Sequence, residues 1–365
     1  MNSAIAVWRS QISETTKNLS SIAWTGRQFV IVGSGWSDGL VLTSQENGTW
    51  TLVESPDVQG MNSLVWTGDW LVAVGLGAGG GRTMASKDGR NWSFADNIGR
   101  QVLTSVIWTG KQIFAGGPDG WLRSSGDGLN WKAIGFVPMN IESLVFTGDL
   151  FVVVRDGIQT SRDGKDWTSQ RLDGKLICSS LSCVAWNGQK ATLHSSTRLI
   201  AVGREGLILS SPDGIKWKKR DSGCKNHLMS AVWTGSRFLV IGEGGIILAS
   251  SDGVSWESQD SPTTETLRAV ATGGGRLVAV GDKGMILSSE MDANERAFET
   301  LQQTIADNLQ RETSENKRRA EKERKRELQA IRAAAGVCIE CGEPLSFLQK
   351  LTGKKRHNLC KEFSM

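Results

Sequence analysis

Tyrosine is absent from all 365 residues, so no phenolic nucleophile is available to the chain. No apolar run approaches the ~20 residues that a membrane-crossing helix requires, which removes a membrane partner. The N-terminus has no basic start followed by an apolar stretch, so no secretory leader is expected. Six cysteines, three of them beyond residue 337, are too few and too scattered to make a disulfide framework. Net charge is small at +4: residues 1–290 carry 27 basic and 26 acidic side chains, and residues 291–365 carry 15 and 12. The cytoplasm is the expected compartment.

What the chain does have is repetition. The phrase S-x-D-G-x-x-W occurs six times, at Ser44–Trp50 (with Glu46 in the Asp place and Asn47 in the Gly place), Ser86–Trp92, Ser125–Trp131, Ser161–Trp167, Ser211–Trp217 and Ser250–Trp256. Its Trp recurs after 42, 39, 36, 50 and 39 residues. A period near 40 with one sharp turn and several short apolar runs predicts propeller blades. A second phrase runs in phase: Trp24-Thr25-Gly26, Trp66-Thr67-Gly68, Trp108-Thr109-Gly110, Phe146-Thr147-Gly148, Trp186-Asn187-Gly188 and Trp233-Thr234-Gly235, with Ala271-Thr272-Gly273 as a seventh. Seven of these against six of the first leave one blade short of its last strand. Trp8-Arg9-Ser10-Gln11 reads like Trp256-Glu257-Ser258-Gln259, so residues 7–12 are expected to complete blade 7. Such closure removes an exposed sheet edge.

Within a repeat, runs such as Phe29-Val30-Ile31-Val32 and Leu40-Val41-Leu42, bounded by Gly and Asp-Gly, predict four short strands. The Ser and Asp oxygens of S-x-D-G-x-x-W can accept backbone N–H bonds, the Gly takes a conformation costly for other residues, and the Trp covers the hairpin. The phrase resembles the Asp-box (BNR) repeat, one residue tighter than the usual S-x-D-x-G-x-T-W. The blades resemble those of sialidase-like and photosystem II stability/assembly-factor-like propellers. The resemblance covers residues 7–290 and implies an all-β, seven-bladed propeller of four-stranded antiparallel blades. It says little about function, because such blades serve enzymes, lectins and assembly factors alike.

A sialidase of the family type is excluded, since that chemistry uses a Tyr nucleophile and the family's F-R-I-P phrase is also missing. Another glycosidase would need two carboxylates about 5–9.5 Å apart. Asp38, Asp119, Asp156, Glu205, Glu243 and Asp282 do recur in the turns between second and third strands, mostly before Gly, as ordinary tight-turn chemistry.

The strand order places the W-T-G and S-x-D-G-x-x-W turns on one face, and the V-G-x-x-G turns and blade connectors on the other. Departures from the repeat gather on that second face. Twelve of the fifteen Trp follow the repeat; Trp36, Trp70 and Trp121 do not. Three residues before the W-T-G aromatic stand Ser21, Ser63, Ser105, Ser143, Cys183, Ser230 and Arg268. Arg123 replaces the Leu or Met found at Leu42, Met84, Leu209, Leu248 and Leu287, and Arg155 and Arg204 lie in turns. Trp36, Trp121, Arg123, Arg155 and Arg268 are read as a solvated rim or as a pocket for an anionic or sugar-bearing partner. Cys178, Cys183, Cys224 and His227 fall in successive connectors, and two readings stand there: small buried fillers or a second metal site.

After Glu290 the apolar period becomes helical, at Phe298, Leu301, Ile305 and Leu309, and Glu312–Glu327 is almost wholly charged. Residues 1–290 are expected to be the propeller, 291–335 a helical linker and 336–365 a zinc-ribbon-like module. Cys338-x-x-Cys341-Gly342 is a knuckle, and His357-x-x-Cys360 is its partner pair; Phe363 stands where a four-Cys ribbon would place its last ligand. The set Cys338, Cys341, His357 and Cys360 suits one structural zinc with no open position. The expected function is a non-enzymatic binding or assembly scaffold with a protein partner. A carbohydrate-binding propeller is the alternative and a non-sialidase glycosidase the third reading; the basic helix and ribbon also admit nucleic acid. Metal analysis of the purified chain should return one zinc per molecule. Replacing His357 with Ala should weaken the metal without changing the propeller's melting, and metal retained after Cys338→Ser with Cys341→Ser would overturn the ligand assignment.

Overall fold

The computed structural model describes residues 6–34, 39–45, 48–53, 60–77, 80–95, 102–188 and 197–334. Seven four-stranded antiparallel sheets form the blades of a propeller. Six are simple meanders of consecutive strands, beginning with Asn18–Trp24 in blade 1, Met61–Trp66 in blade 2, Ser105–Trp108 in blade 3, Ser143–Phe146 in blade 4, Leu181–Trp186 in blade 5 and Leu228–Trp233 in blade 6. Blade 7 holds Leu267–Gly273, Arg276–Gly281 and Ile286–Glu290, and its outer strand is Arg9–Gln11 from the other end of the chain. Arg9 lies opposite Ser288, Ser10 opposite Leu287 and Gln11 opposite Ile286. The strand is also fastened sideways: Gln11 Nε2 donates to Ser288 Oγ at 2.7 Å, and Trp50 Nε1 of blade 1 donates to Gln11 Oε1 at 2.7 Å.

The apolar cores lie between blades. Leu19, Phe29 and Leu42 of blade 1 pack with Val278, Val280 and Ile286 of blade 7. Trp8 is buried among Leu239 and Ile247 of blade 6 and Leu277 and Leu287 of blade 7. Each blade therefore supplies half of two cores, which is how a sheet with two apolar faces stays in water.

The S-x-D-G-x-x-W turn has the same Ser and Asp bonds in each complete copy, and the Trp bond in all of these but blade 6, where Trp256 Nε1 is buried without a partner. In blade 2 the Gly89 N–H donates to Ser86 Oγ at 2.9 Å, Asp88 Oδ1 accepts the N–H groups of Arg90 (2.9 Å) and Asn91 (2.8 Å), and Trp92 Nε1 donates to the Gly89 carbonyl at 3.0 Å. Gly89 has φ +74°, which explains the fixed glycine. Burial raises the carboxyl pKa of Asp88 and Asp127, but the N–H and amide donors outweigh it and hold both at about 2. Asp163 is also held at about 2, foremost by the Asp166 N–H.

A helix, Ala293–Ala334, follows blade 7. Its start is capped by a reciprocal pair: Glu295 N–H donates to Asp292 Oδ1 at 2.9 Å, and Asp292 N–H donates to Glu295 Oε2 at 2.8 Å. Glu295 is fully buried and accepts from Arg237 Nε at 3.0 Å. Glu299 Oε2 accepts the Gly275 N–H at 2.9 Å, and a Cβ on Gly235 would collide with the Phe298 ring. The first compact unit accordingly runs through Leu301, and residues from Gln302 onward form the second. Leu301 and Ile305 are exposed. The proposed zinc ligands Cys338, Cys341, His357 and Cys360 lie outside the described residues. Among the described residues no helix is long and apolar enough to cross a membrane.

Deleting residues 1–13 should open the ring and lower the melting temperature, and Trp8→Ala alone should cost ~3–5 kcal/mol; an unchanged denaturation midpoint would refute closure by this strand. The depressed carboxyls give a pH signature. Their folded pKa lies below the ordinary 3.8, so their stabilisation is complete above about pH 4 and is lost as pH falls towards about 2. Urea unfolding midpoints should fall across that window, and fall less in the Asp88→Asn, Asp127→Asn, Asp163→Asn triple variant.

Candidate partner-binding face

The meander topology puts the turns between second and third strands, together with the blade connectors, at one end of the ring. In blades 5, 6 and 7 these turns are braced by backbone bonds to the connectors. In blade 5 the Arg204 N–H donates to the Ser180 carbonyl at 3.1 Å and the Gly206 N–H to the Asn226 carbonyl at 2.9 Å. A Cβ on Gly203 would meet the Ser180 carbonyl, and one on Gly206 the Cys224 carbonyl. The two glycines of V-G-x-x-G are thus wedged between the connectors entering and leaving a blade, and the residues between them are held outwards.

The inner-strand serines have a role that their regular placement alone did not disclose. Ser21 Oγ accepts the Leu64 N–H at 3.1 Å, Ser63 Oγ the Val106 N–H at 3.2 Å, and Ser143 Oγ the Val184 N–H at 3.2 Å. Each ties its blade to the next. Arg268 does not belong to this set. Thr272 pairs with Leu277 as Trp24 pairs with Phe29, so blade 7 runs one residue out of the phase expected from Ala271-Thr272-Gly273. Ala269, opposite Val280, holds the serine place, and Arg268 occupies the register irregularity between Leu267 and Ala269. The reason is the run of three glycines: with four residues between Thr272 and Leu277, as between Trp24 and Phe29, it is Gly274 (φ +56°) and not Gly273 that stands in the place of Gly26 (φ +86°).

Arg123, Arg155 and Arg268 each face an acid, and Arg204, in a turn of the same face, is exposed. Arg268 pairs with Asp282, donating from Nη2 to Oδ2 at 3.1 Å. Arg155 pairs with Glu142. Arg123 is only 8% exposed, and its Nη2 donates to Asp119 Oδ2 at 2.9 Å while Nη1 donates to the Trp121 carbonyl at 3.2 Å. The rim is a set of charge pairs, not a concentrated positive pocket. Two of the turn carboxylates weighed for glycoside chemistry, Asp119 and Asp282, are occupied by these pairs. Trp36 lies outside the described residues. Trp121 is 40% exposed and stands edge-on to Phe136, itself 51% exposed, with ring centroids 5.6 Å apart.

The connector cysteines and His227 do not converge. Cys178 is exposed; Cys183 is half-buried, its thiol pKa pushed up by desolvation, and faces the Ala231 carbonyl at 3.9 Å; Cys224 lies by Ser222 Oγ at 3.6 Å. His227 Nε2 is 2.7 Å from Ser182 Oγ, and its Nδ1 is 3.4 Å from Glu243. That trio has hydrolase-like order, but Ser182 sits at the same blade-edge irregularity as Asn62, whose side chain donates to the Leu103 carbonyl of the next blade at 2.9 Å. The recurrent role of this position is to join blades. No cluster of three or more metal-ligating side chains occurs among the described residues.

Two residues were missed from the sequence. Phe136 looked like an unremarked end of a strand. Gln159 pairs with Val153 in the register where Arg123 pairs with Ala115 and Leu42 with Ile31, so it too replaces a core Leu. Aligning blade 4 with the others at its Ser161 would have shown it.

No family model matches the chain, and no curated protein matches it in sequence. Solved structures share the fold. YCF48 from Cyanidioschyzon merolae is 18% identical with a TM-score of 0.59, over 78% of this chain and 98% of that one. YCF48 bound to a D1 peptide is 16% identical with a TM-score of 0.62, over 80% and 99%. The WD40 β-propeller domain of Doa1 is 12% identical with a TM-score of 0.62, over 80% and 99%.

Proposed function

We propose that this chain is a non-enzymatic platform that presents the connector face of its propeller to a protein partner. A zinc ribbon ligated by Cys338, Cys341, His357 and Cys360 serves as a second contact module. The observation that carries this reading is the Trp121–Phe136 pair: two large aromatic rings left partly in water at the edge of blade 3. Aromatic anchors surrounded by polar groups are the usual energetic centre of a protein interface. The Arg155–Glu142 pair of the adjacent blade, Trp36 and Arg268 belong to the same face in this reading. Arg123 acts through shape, since Asp119 already holds its charge. The opposite face offers less room, because Phe298 and Glu299 of the helix already cover turns of blades 6 and 7. The solved structure of YCF48 bound to D1 peptide, which shares this fold, supports the reading.

Partner capture from the native host, followed by crosslink mapping, tests the choice of face. Trp121→Asp with Phe136→Asp should weaken capture by roughly thirtyfold or more, in the range of interface anchors, with no change in melting. Arg90→Glu with Lys165→Glu, on the opposite face, should leave capture intact. The reverse pattern would place the partner on the other side of the ring.

A further inference from the structure

The third-strand core position is Leu42, Met84, Leu209, Leu248 and Leu287 in five blades, every one buried. Blades 3 and 4 carry Arg123 and Gln159 instead. Arg123 has its acid. Gln159 is 7% exposed; its Nε2 donates to Ser169 Oγ at 2.8 Å, but its Oε1 is buried with no partner. Turning the amide over would only exchange an orphan acceptor for an orphan donor. An unsatisfied buried amide atom costs ~1–3 kcal/mol, a cost the five aliphatic blades avoid.

Gln159 lines a pocket of about 400 Å³ that this blade builds by leaving the repeat. The outer strand of blade 4 is only Thr168–Ser169, after which the chain turns into a small hairpin pairing Arg171–Leu172 with Lys175–Leu176. Asp173 (φ +49°) and Gly174 (φ +77°) form its tip. Met139, from the connector that follows Phe136, lines the pocket, as do Leu176 and Ile177 from the hairpin. Leu176 is 51% exposed although apolar. Asp156 is the only charged side chain in the lining, and the free thiol Cys178 also borders it.

We propose that this pocket binds an extended peptide segment carrying an apolar side chain next to a basic one. The apolar side chain fills the space between Met139 and Leu176, the Gln159 amide swings its orphan oxygen into the pocket to accept an N–H of the segment, and the positive charge lies by Asp156. A carboxylate or phosphate would meet an acceptor oxygen and an acid with no lining cation to balance them. This inference rests on the protein-platform reading and names one subsite of it.

Fluorescence anisotropy on the full chain, with capped synthetic hexapeptides holding a central Leu, Ile, Met or Phe flanked by Lys/Arg or by Asp/Glu, is the test. Basic-flanked peptides should bind at least ~tenfold more tightly than acidic-flanked ones, a difference of about 1.4 kcal/mol. Asp156→Lys should abolish that preference, and Leu176→Lys, at an exposed site that tolerates change, should abolish binding. Gln159→Leu should lose the peptide while raising the denaturation midpoint, whereas a purely structural amide would leave peptide affinity unmoved. Equal affinity for both peptide sets, or full affinity in Leu176→Lys, overturns the pocket. If host-partner capture persists in that case, the platform reading stands without it; if capture also proves independent of Trp121 and Phe136, the platform reading fails separately.

Discussion

A four-stranded blade has two apolar faces and no helix to cover either, so each blade depends on a neighbour at both sides. The cores of this protein are the spaces between blades: Phe29 and Leu42 meet Val278 and Val280, and Trp8 completes a core shared by blades 6 and 7. Everything else follows from the need to bring those faces together. The serines at Ser21, Ser63 and Ser143 fasten inner strands across the seams. The glycines of the connector-side turns let backbone approach backbone where any side chain would hold the blades apart.

The arrangement also explains where polarity enters. Burying Arg237 against Glu295 costs desolvation that only good geometry and hydrogen bonding repay. Here the pair is reinforced by the reciprocal Asp292–Glu295 cap, so that one direction of helix departure satisfies every group at once. Gln159 is the opposite case, a polar group buried without full satisfaction. Placed one blade from an exposed aromatic pair, it marks the part of the ring where packing has been given up for surface chemistry.

The fold was legible because its signals are local. S-x-D-G-x-x-W specifies a turn through bonds spanning three residues, and six repetitions set a phase. Even ring closure could be read, since Trp8-Arg9-Ser10-Gln11 repeats the start of an outer strand. The site was less legible because its determinants cross strands. The pairing of Arg268 with Asp282 spans fourteen residues and that of Arg155 with Glu142 thirteen, through hairpin register and not through periodicity. Blade 7 slipped by one residue for a different reason: Gly273-Gly274-Gly275 offers two places for the T-G phrase, and matching Thr272-Gly273 to Thr25-Gly26 misplaces Arg268, whereas the register sets Gly274 at the place of Gly26. The buried Arg237 gave no sign of itself, because the helix that covers it arrives 58 residues later.

Strand Arg9–Gln11 is made before any other strand of the ring, while its partner Ile286–Glu290 comes last among them. At a synthesis rate of about 5–20 residues per second, the first strand emerges and then waits some tens of seconds with nothing to pair with. Throughout that interval blade 1 has one uncovered face, and the nascent chain is an open arc with two sticky ends. The helix that docks on blades 6 and 7 is translated directly after the missing strand partner. Its arrival therefore coincides with closure, and a ribosome that stalls before residue 290 would release an arc that could join a second arc as readily as its own beginning.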